Sequence, residues 1–263
     1  YPMVRRDLGY AHIKSKYDGL GNEILVEYFD AEEQPVVHKE RGYASEEKEF
    51  EKGKLTEACY YDAQKKLVLR KDKGYAIIRY EYDEYGQAIS EHYYDTEDEP
   101  VISTEYHCAG FEYEYDEKGN RTDIWYLGLK EDDKIIRKDK GYAHVKISYN
   151  EDGQEIKAEY YDSDGQPAIK KEGGYASYEN FYEKGNWVES RYYDEKGNLI
   201  LCNDTGYAVI RNRYDEYNRR TSIRYYGTDG KLIIGTKYQC AGFDYRYNEK
   251  GNNERSTYIG VDN

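Results

Sequence analysis

A block of four units is written twice in this chain, at a constant shift of 132 residues. The stretch GYAHIKSKYD at Gly9 returns as GYAHVKISYN at Gly141, and HCAGFEYEYDEKGN (His107 to Asn120) returns as QCAGFDYRYNEKGN (Gln239 to Asn252). Within each block Gly-Tyr-Ala recurs, at Gly9, Gly42 and Gly74 and again at Gly141, Gly174 and Gly206. In the fourth copy Cys108-Ala109 and Cys240-Ala241 stand in for Tyr-Ala, which makes eight units of 32 to 34 residues. Units of this period bury their apolar faces only against neighbouring copies, so a repeat array is predicted in place of one central core.

Each unit reads as a β-hairpin with a short third piece. Segments such as DEYGQ (Asp83 to Gln87), DEKGN (Asp116 to Asn120) and EDGQ (Glu151 to Gln154) supply the capping side chains and positive φ of tight turns. The second unit of each block has a loop one residue shorter, at Phe50 to Lys54 and Tyr182 to Asn186. The flanks alternate with period two: Ala76, Ile78, Tyr80 and Tyr82 share one face, and Tyr75, Ile77, Arg79 and Glu81 the other. A third apolar piece, such as Pro35-Val36-Val37 or Leu67-Val68-Leu69, leads into the next unit.

The expected fold is all-β, an elongated, solenoid-like array of stacked hairpins. Residues 1–8 lead into a first four-repeat block over 9–140 and a second over 141–263, in one continuous array. Three columns are expected to form the core. The first is alanine, from Ala11 to Ala241; the second is tyrosine, from Tyr28 to Tyr258; the third is aromatic, from Tyr17 through Phe50 and Tyr82 to Tyr247. With 38% apolar residues and a mean hydropathy of -1.11, aliphatic side chains are scarce, and the 35 tyrosines must supply the buried area. Every buried hydroxyl then needs a partner.

The net charge of -14 repels phosphate backbones and anionic membrane surfaces, so neither nucleic acid nor membrane insertion is expected. No run of 18 apolar residues occurs. The opening YPMVRRDLGY has neither the apolar core of a signal peptide nor an initiating Met, and reads as part of a longer chain.

The runs YYDEKGNLI (Tyr192 to Ile200) and YYDSDGQPA (Tyr160 to Ala168), each feeding a Gly-Tyr pair, resemble Gram-positive cell-wall- and glucan-binding repeats. YDEKGN also resembles the tyrosine-aspartate (rearrangement hotspot) repeats and, more distantly, the MORN-type repeats. The resemblance implies a bacterial surface or secreted protein, extracellular or at the cell surface, serving attachment, adhesion or spacing.

Catalytic chemistry is not expected. The histidines are His12, His38, His92, His107 and His144, and His12 and His144 are one position of the duplicated block, whereas catalysis needs a single asymmetric constellation. Cys59, Cys108, Cys202 and Cys240 form no Cys-x-x-Cys pair and read as free thiols. Asp162-Ser163-Asp164-Gly165 lacks the full spacing of a calcium loop and reads as turn chemistry. No metal or cofactor is predicted.

What remains is a second aromatic stripe opposite the core. It comprises Phe29, Tyr61, Tyr94, Tyr161, Tyr193 and Tyr226, together with Tyr10, Tyr43, Tyr75, Tyr142, Tyr175 and Tyr207. It is either a second packed layer or a surface where rings beside Asp, Asn and Gln bind sugars. The candidate ligand-binding residues are Tyr10, Tyr43, Tyr61, Tyr75, Tyr94, Trp125, Tyr142, Tyr161, Trp187 and Tyr193. The expected function is a non-catalytic module binding a polysaccharide or cell-wall polymer by avidity. The alternative is a structural or adhesive spacer contacting a surface protein.

Overall fold

In the computed structural model, which describes residues 3–130 and 132–261, hairpin after hairpin closes on an aspartate or asparagine that caps its own turn. Asp18 Oδ1 accepts the backbone N–H groups of Leu20 and Asn22 at 2.8 and 2.9 Å, while Gly21 supplies the positive φ. The same closure recurs at Asp83, Asp116, Asn150, Asp215 and Asn248. A matching turn folds the third piece back onto its hairpin, and there Asp162 Oδ1 accepts the N–H groups of Asp164 and Gln166. The acidic turns are thus satisfied by their own backbone. The two shorter loops, Lys52-Gly53 and Lys184-Gly185, have positive φ at both residues, the signature of a two-residue hairpin turn.

The strands are all antiparallel and follow chain order. The described residues fall into two compact units, Tyr1–Glu114 with Ile124–Ile135 and Tyr115–Asp123 with Ile136–Asn263. The first holds β1 (His12–Tyr17), β2 (Glu23–Phe29), β3 (Ser45–Glu51), β4 (Lys54–Tyr61), β5 (Ile77–Tyr82), β6 (Ala88–Tyr94) and most of β7 (Gly110–Tyr115) and β8 (Arg121–Leu127). The second holds β9 (His144–Tyr149), β10 (Glu155–Tyr161), β11 (Ser177–Glu183), β12 (Asn186–Tyr193), β13 (Val209–Tyr214), β14 (Arg220–Tyr226), β15 (Gly242–Tyr247) and β16 (Asn253–Ile259). The alanine column joins successive hairpins. Ala44 donates its N–H to Tyr61 of its own hairpin and accepts from Tyr28 of the hairpin before it, as Ala76, Ala176 and Ala208 do in turn.

The core is a ladder of rings. In the first unit Tyr10, Tyr28, Tyr43, Tyr60, Tyr75, Tyr93 and Tyr106 follow one another with centroids 4.6 to 6.1 Å apart. In the second, Tyr142, Tyr160, Tyr175, Tyr192, Tyr207 and Tyr225 do the same at 4.6 to 6.2 Å. This corrects the face assigned to half of the second stripe. Tyr43, Tyr75, Tyr142, Tyr175 and Tyr207 are buried with the Tyr28 column and not opposite it. The alternation that opposed them assumed that the strand begins at Gly-Tyr, whereas β5 begins at Ile77. Ahead of it the positive φ of Gly74 turns the Tyr75 ring back onto Tyr93 at 4.6 Å. Where cysteine replaces this tyrosine, Tyr106 and Tyr238, two residues earlier, supply the missing rung.

The hydroxyls find cations. Arg41 donates to Tyr28 and Tyr43, Lys73 to Tyr106, and Arg70 to Tyr60 while its guanidinium lies 4.7 Å from the Tyr60 ring centre. The third predicted column is not core. Its rings are half-buried, and Tyr17 on the first strand is 61% exposed. It is a set of straps, in which the hydroxyls of Tyr82, Tyr149, Tyr182, Tyr214 and Tyr247 donate to the carbonyls of Leu55, Arg121, Glu155, Trp187 and Arg220 in the preceding hairpin. Tyr258, on the last strand, is also exposed, at 69%.

Candidate functional site

Successive residues of a strand face opposite ways, so the ladder tyrosines of β4, β6, β10 and β12 leave Tyr61, Tyr94, Tyr161 and Tyr193 on the other face. There each is half-buried and engaged. Arg79, paired with Glu57 and Asp98 at 2.6 and 2.7 Å, lies 4.5 Å from the Tyr94 ring centre. His144 stacks on Tyr161 at 5.2 Å, and the Tyr193 hydroxyl donates to Glu179 at 2.8 Å. Trp125 is half-buried with the Lys134 ammonium 6.0 Å from its ring. Tyr10 packs on Tyr28 and His38. Of the predicted ligand residues, Tyr43, Tyr75 and Tyr142 have no free ring face, because burial in the ladder uses both.

Trp187 lies elsewhere, in an open cleft of about 330 Å³ on the ladder face over β10, β11 and β12. Two bulges build it. One falls between Phe181 and Tyr182, opposite Trp187, and brings Trp187 onto the face shared by Ser190 and Tyr192; the other, between Glu155 and Lys157, turns Glu155 to the same side. Tyr178, Asn180 and Tyr182, at alternate positions of β11, form the floor, and Lys170 reaches over Tyr160 and Tyr175 with its ammonium 5.5 and 5.7 Å from their ring centres.

The polar groups of the floor are bound to one another. The Trp187 indole N–H donates to Ser190 Oγ at 2.8 Å, the Ser190 hydroxyl donates to Asn180 Oδ1, and Asn180 Nδ2 donates to the Glu155 carbonyl at 3.1 Å. The Tyr178 hydroxyl donates to Glu155 Oε1. Burial pushes the Glu155 carboxyl above the ordinary range, and the charge of Lys170 offsets part of that rise. Lys170 remains available to a ligand, between aromatic walls.

The duplicated block shows that this is a departure from the repeat. Shifted by 132 residues, Glu155, Asn180, Trp187 and Ser190 correspond to Glu23, Lys48, Leu55 and Ala58. In the first block Ser15 donates to Glu23 at 2.8 Å and Lys48 pairs with it at 3.2 Å, so that carboxyl is held below its ordinary value, mainly by Ser15. The second block loses both partners, having Ile147 and Asn180 at those positions, and gains aromatic and hydroxyl groups. Trp187 was the signal in sequence; Glu155 and Lys170 could be found only by aligning the two blocks and asking which charges had lost their partners.

The other chemistry is dispersed. His144 Nε2 lies 2.8 Å from Asp123, burial lowers His38 and His92, and the four cysteines are thiols, with burial pushing that of Cys59 up to about 12. Among the described residues no group of three or more His, Cys, Asp or Glu is placed to hold a metal ion, and no helix is long and apolar enough to cross a membrane.

Fold and cleft together define a tandem, tyrosine-rich β-hairpin repeat module. No protein-family model matches the chain, and no curated protein does. Among solved structures the chain is similar to part of the TcdB2-TccC3-Cdc42 crystal structure, at 13% identity over 92% of this chain and 13% of that one, with a TM-score of 0.33. It is also similar to part of TcdB2-TccC3-TEV, at 15% over 92% and 14%, with a TM-score of 0.35. A third likeness is to the Photorhabdus luminescens Tc holotoxin pore, at 12% over 95% and 13%, with a TM-score of 0.31.

Proposed function

We propose that this chain is a non-catalytic repeat module, carried outside the cell or on its surface, that binds a polysaccharide in the cleft over β10, β11 and β12. The observation that carries the reading is the loss of repeat symmetry there. A paired charge at Glu46 and an aliphatic side chain at Leu55 in one block give way to Tyr178 and Trp187 beside an accessible lysine in the other. Rings of this kind stack on the apolar faces of pyranoses, and a few convergent polar groups fix orientation. Multivalency through the repeated tyrosines is not part of this reading, since the ladder consumes their rings.

Titration of the full chain with soluble cell-wall polysaccharides, followed by tryptophan emission and by retention on polymer columns, tests the proposal. A saturable change is expected that disappears in Trp187→Leu, the residue of the duplicate position. No change with any polymer would leave the second reading, a structural spacer or protein-contact array, which the use of most ladder rings for internal packing favours.

A further inference from the structure

Four basic residues occupy one repeat position. Arg5, Arg70, Arg137 and Lys170 each donate a backbone N–H to the carbonyl of the Gly-Tyr tyrosine that follows, at Tyr10, Tyr75, Tyr142 and Tyr175. In three of them an aspartate two residues on closes an ion pair: Arg5 with Asp7 at 2.6 Å, and Arg70 with Asp72 and Arg137 with Asp139 at 2.7 Å. The fourth has Glu172 at that place, and among the described residues Lys170 makes no ion pair. The remaining members of the column are His38, Ser103, Cys202 and Gly235, and burial lowers the pKa of His38. Lys170 therefore lacks the aspartate that pairs with its column-mates; it is held over two tyrosine faces at the wall of the cleft, with the half-buried Glu155 carboxyl near enough to feel its charge.

We infer that the sugar bound in this cleft carries a carboxylate, a hexuronate residue whose acid group pairs with Lys170 and whose ring lies against Trp187 and Tyr178. The inference rests on the polysaccharide reading above and narrows its ligand class. A cation beside aromatic rings is partly desolvated, which strengthens its pairing with an anion. The Glu155 carboxyl, close enough to feel the Lys170 charge, disfavours more highly charged anions such as phosphate, which would bring two charges toward one lysine and one carboxylate. A neutral hexose would leave Lys170 unpaired.

The test compares uronate disaccharides with their neutral counterparts, in both the gluco and the galacto series, on the full chain by calorimetry and tryptophan emission. A uronate is expected to bind about tenfold more tightly, the worth of one charge-assisted hydrogen bond, with the preference shrinking as salt rises. Lys170→Met should abolish the preference, and Lys170→Arg should restore it; circular dichroism of both variants should match the parent. Equal affinities, or a preference unchanged in Lys170→Met, would overturn the inference while leaving polysaccharide binding intact. Binding of none of the disaccharides also overturns it, and retention on polymer columns then decides whether the broader reading survives.

Discussion

Glu23 and Glu155 occupy the same repeat position and are shifted in opposite directions: burial raises Glu155, whereas Ser15 and Lys48 hold Glu23 down. Glu155 has a folded pKa above its unfolded value. The folded state therefore holds the proton longer, and the carboxyl weakens the fold as pH rises through that window. Glu155→Gln, which keeps an acceptor for Tyr178, should raise the midpoint of thermal unfolding at neutral pH, with the gain vanishing in acid. Glu23 has a depressed pKa and contributes stability above its unfolded value that is lost as pH falls. Glu23→Gln should therefore lower the neutral midpoint. Midpoints moving in the same direction for both variants would contradict the assignment. A second residue-scale prediction concerns Gly110, where a Cβ would lie 2.1 Å from the Glu91 carbonyl oxygen. Gly110→Ala should cost about 1 to 3 kcal/mol in urea denaturation, through overpacking against backbone.

At the scale of the hairpin, the straps explain a tyrosine that burial alone does not. Tyr214 spans to the Trp187 carbonyl at 3.0 Å, and the same bond at 2.8 Å joins Tyr82 to Leu55. Phe50 in this column shows that the ring is tolerated without its hydroxyl. Tyr214→Phe should therefore fold normally and lose about 1 kcal/mol, the net worth of one hydrogen bond, as read by chemical denaturation. Period-two alternation correctly placed Ile78 and Tyr80 on one face, because β5 pairs regularly as far as Glu81. It failed for Tyr75 since a positive-φ glycine interrupts the alternation, and it failed for the third column since half-burial with a hydroxyl partner looks the same in sequence as full burial.

Across each unit as a whole, strands touch the strands adjacent in the chain, so damage should stay local. Tyr93 is fully buried between Tyr75 and Tyr106. Tyr93→Ala should remove about 3 to 5 kcal/mol, the cost of deleting a buried aromatic side chain. Hydrogen exchange should show the lost protection concentrated in β5 to β7 and leave β12 to β15 close to the parent. Uniform loss along the chain would argue for a more cooperative structure than a nearest-neighbour array.

The sequence by itself determined the architecture. Duplication fixed eight equivalent units, the Asp and Gly turns fixed where each hairpin closes, and alternation fixed the strands, because all three are short-range rules that the chain repeats many times. Only the tertiary structure decided which rings remain accessible and which charges remain unpaired. Those properties depend on what a neighbouring hairpin brings within a few ångströms: the bulges are the same in both blocks, and a handful of substitutions at Ile147, Asn180, Trp187 and Ser190 were enough to strip a carboxylate of its partners and open a cleft beside it.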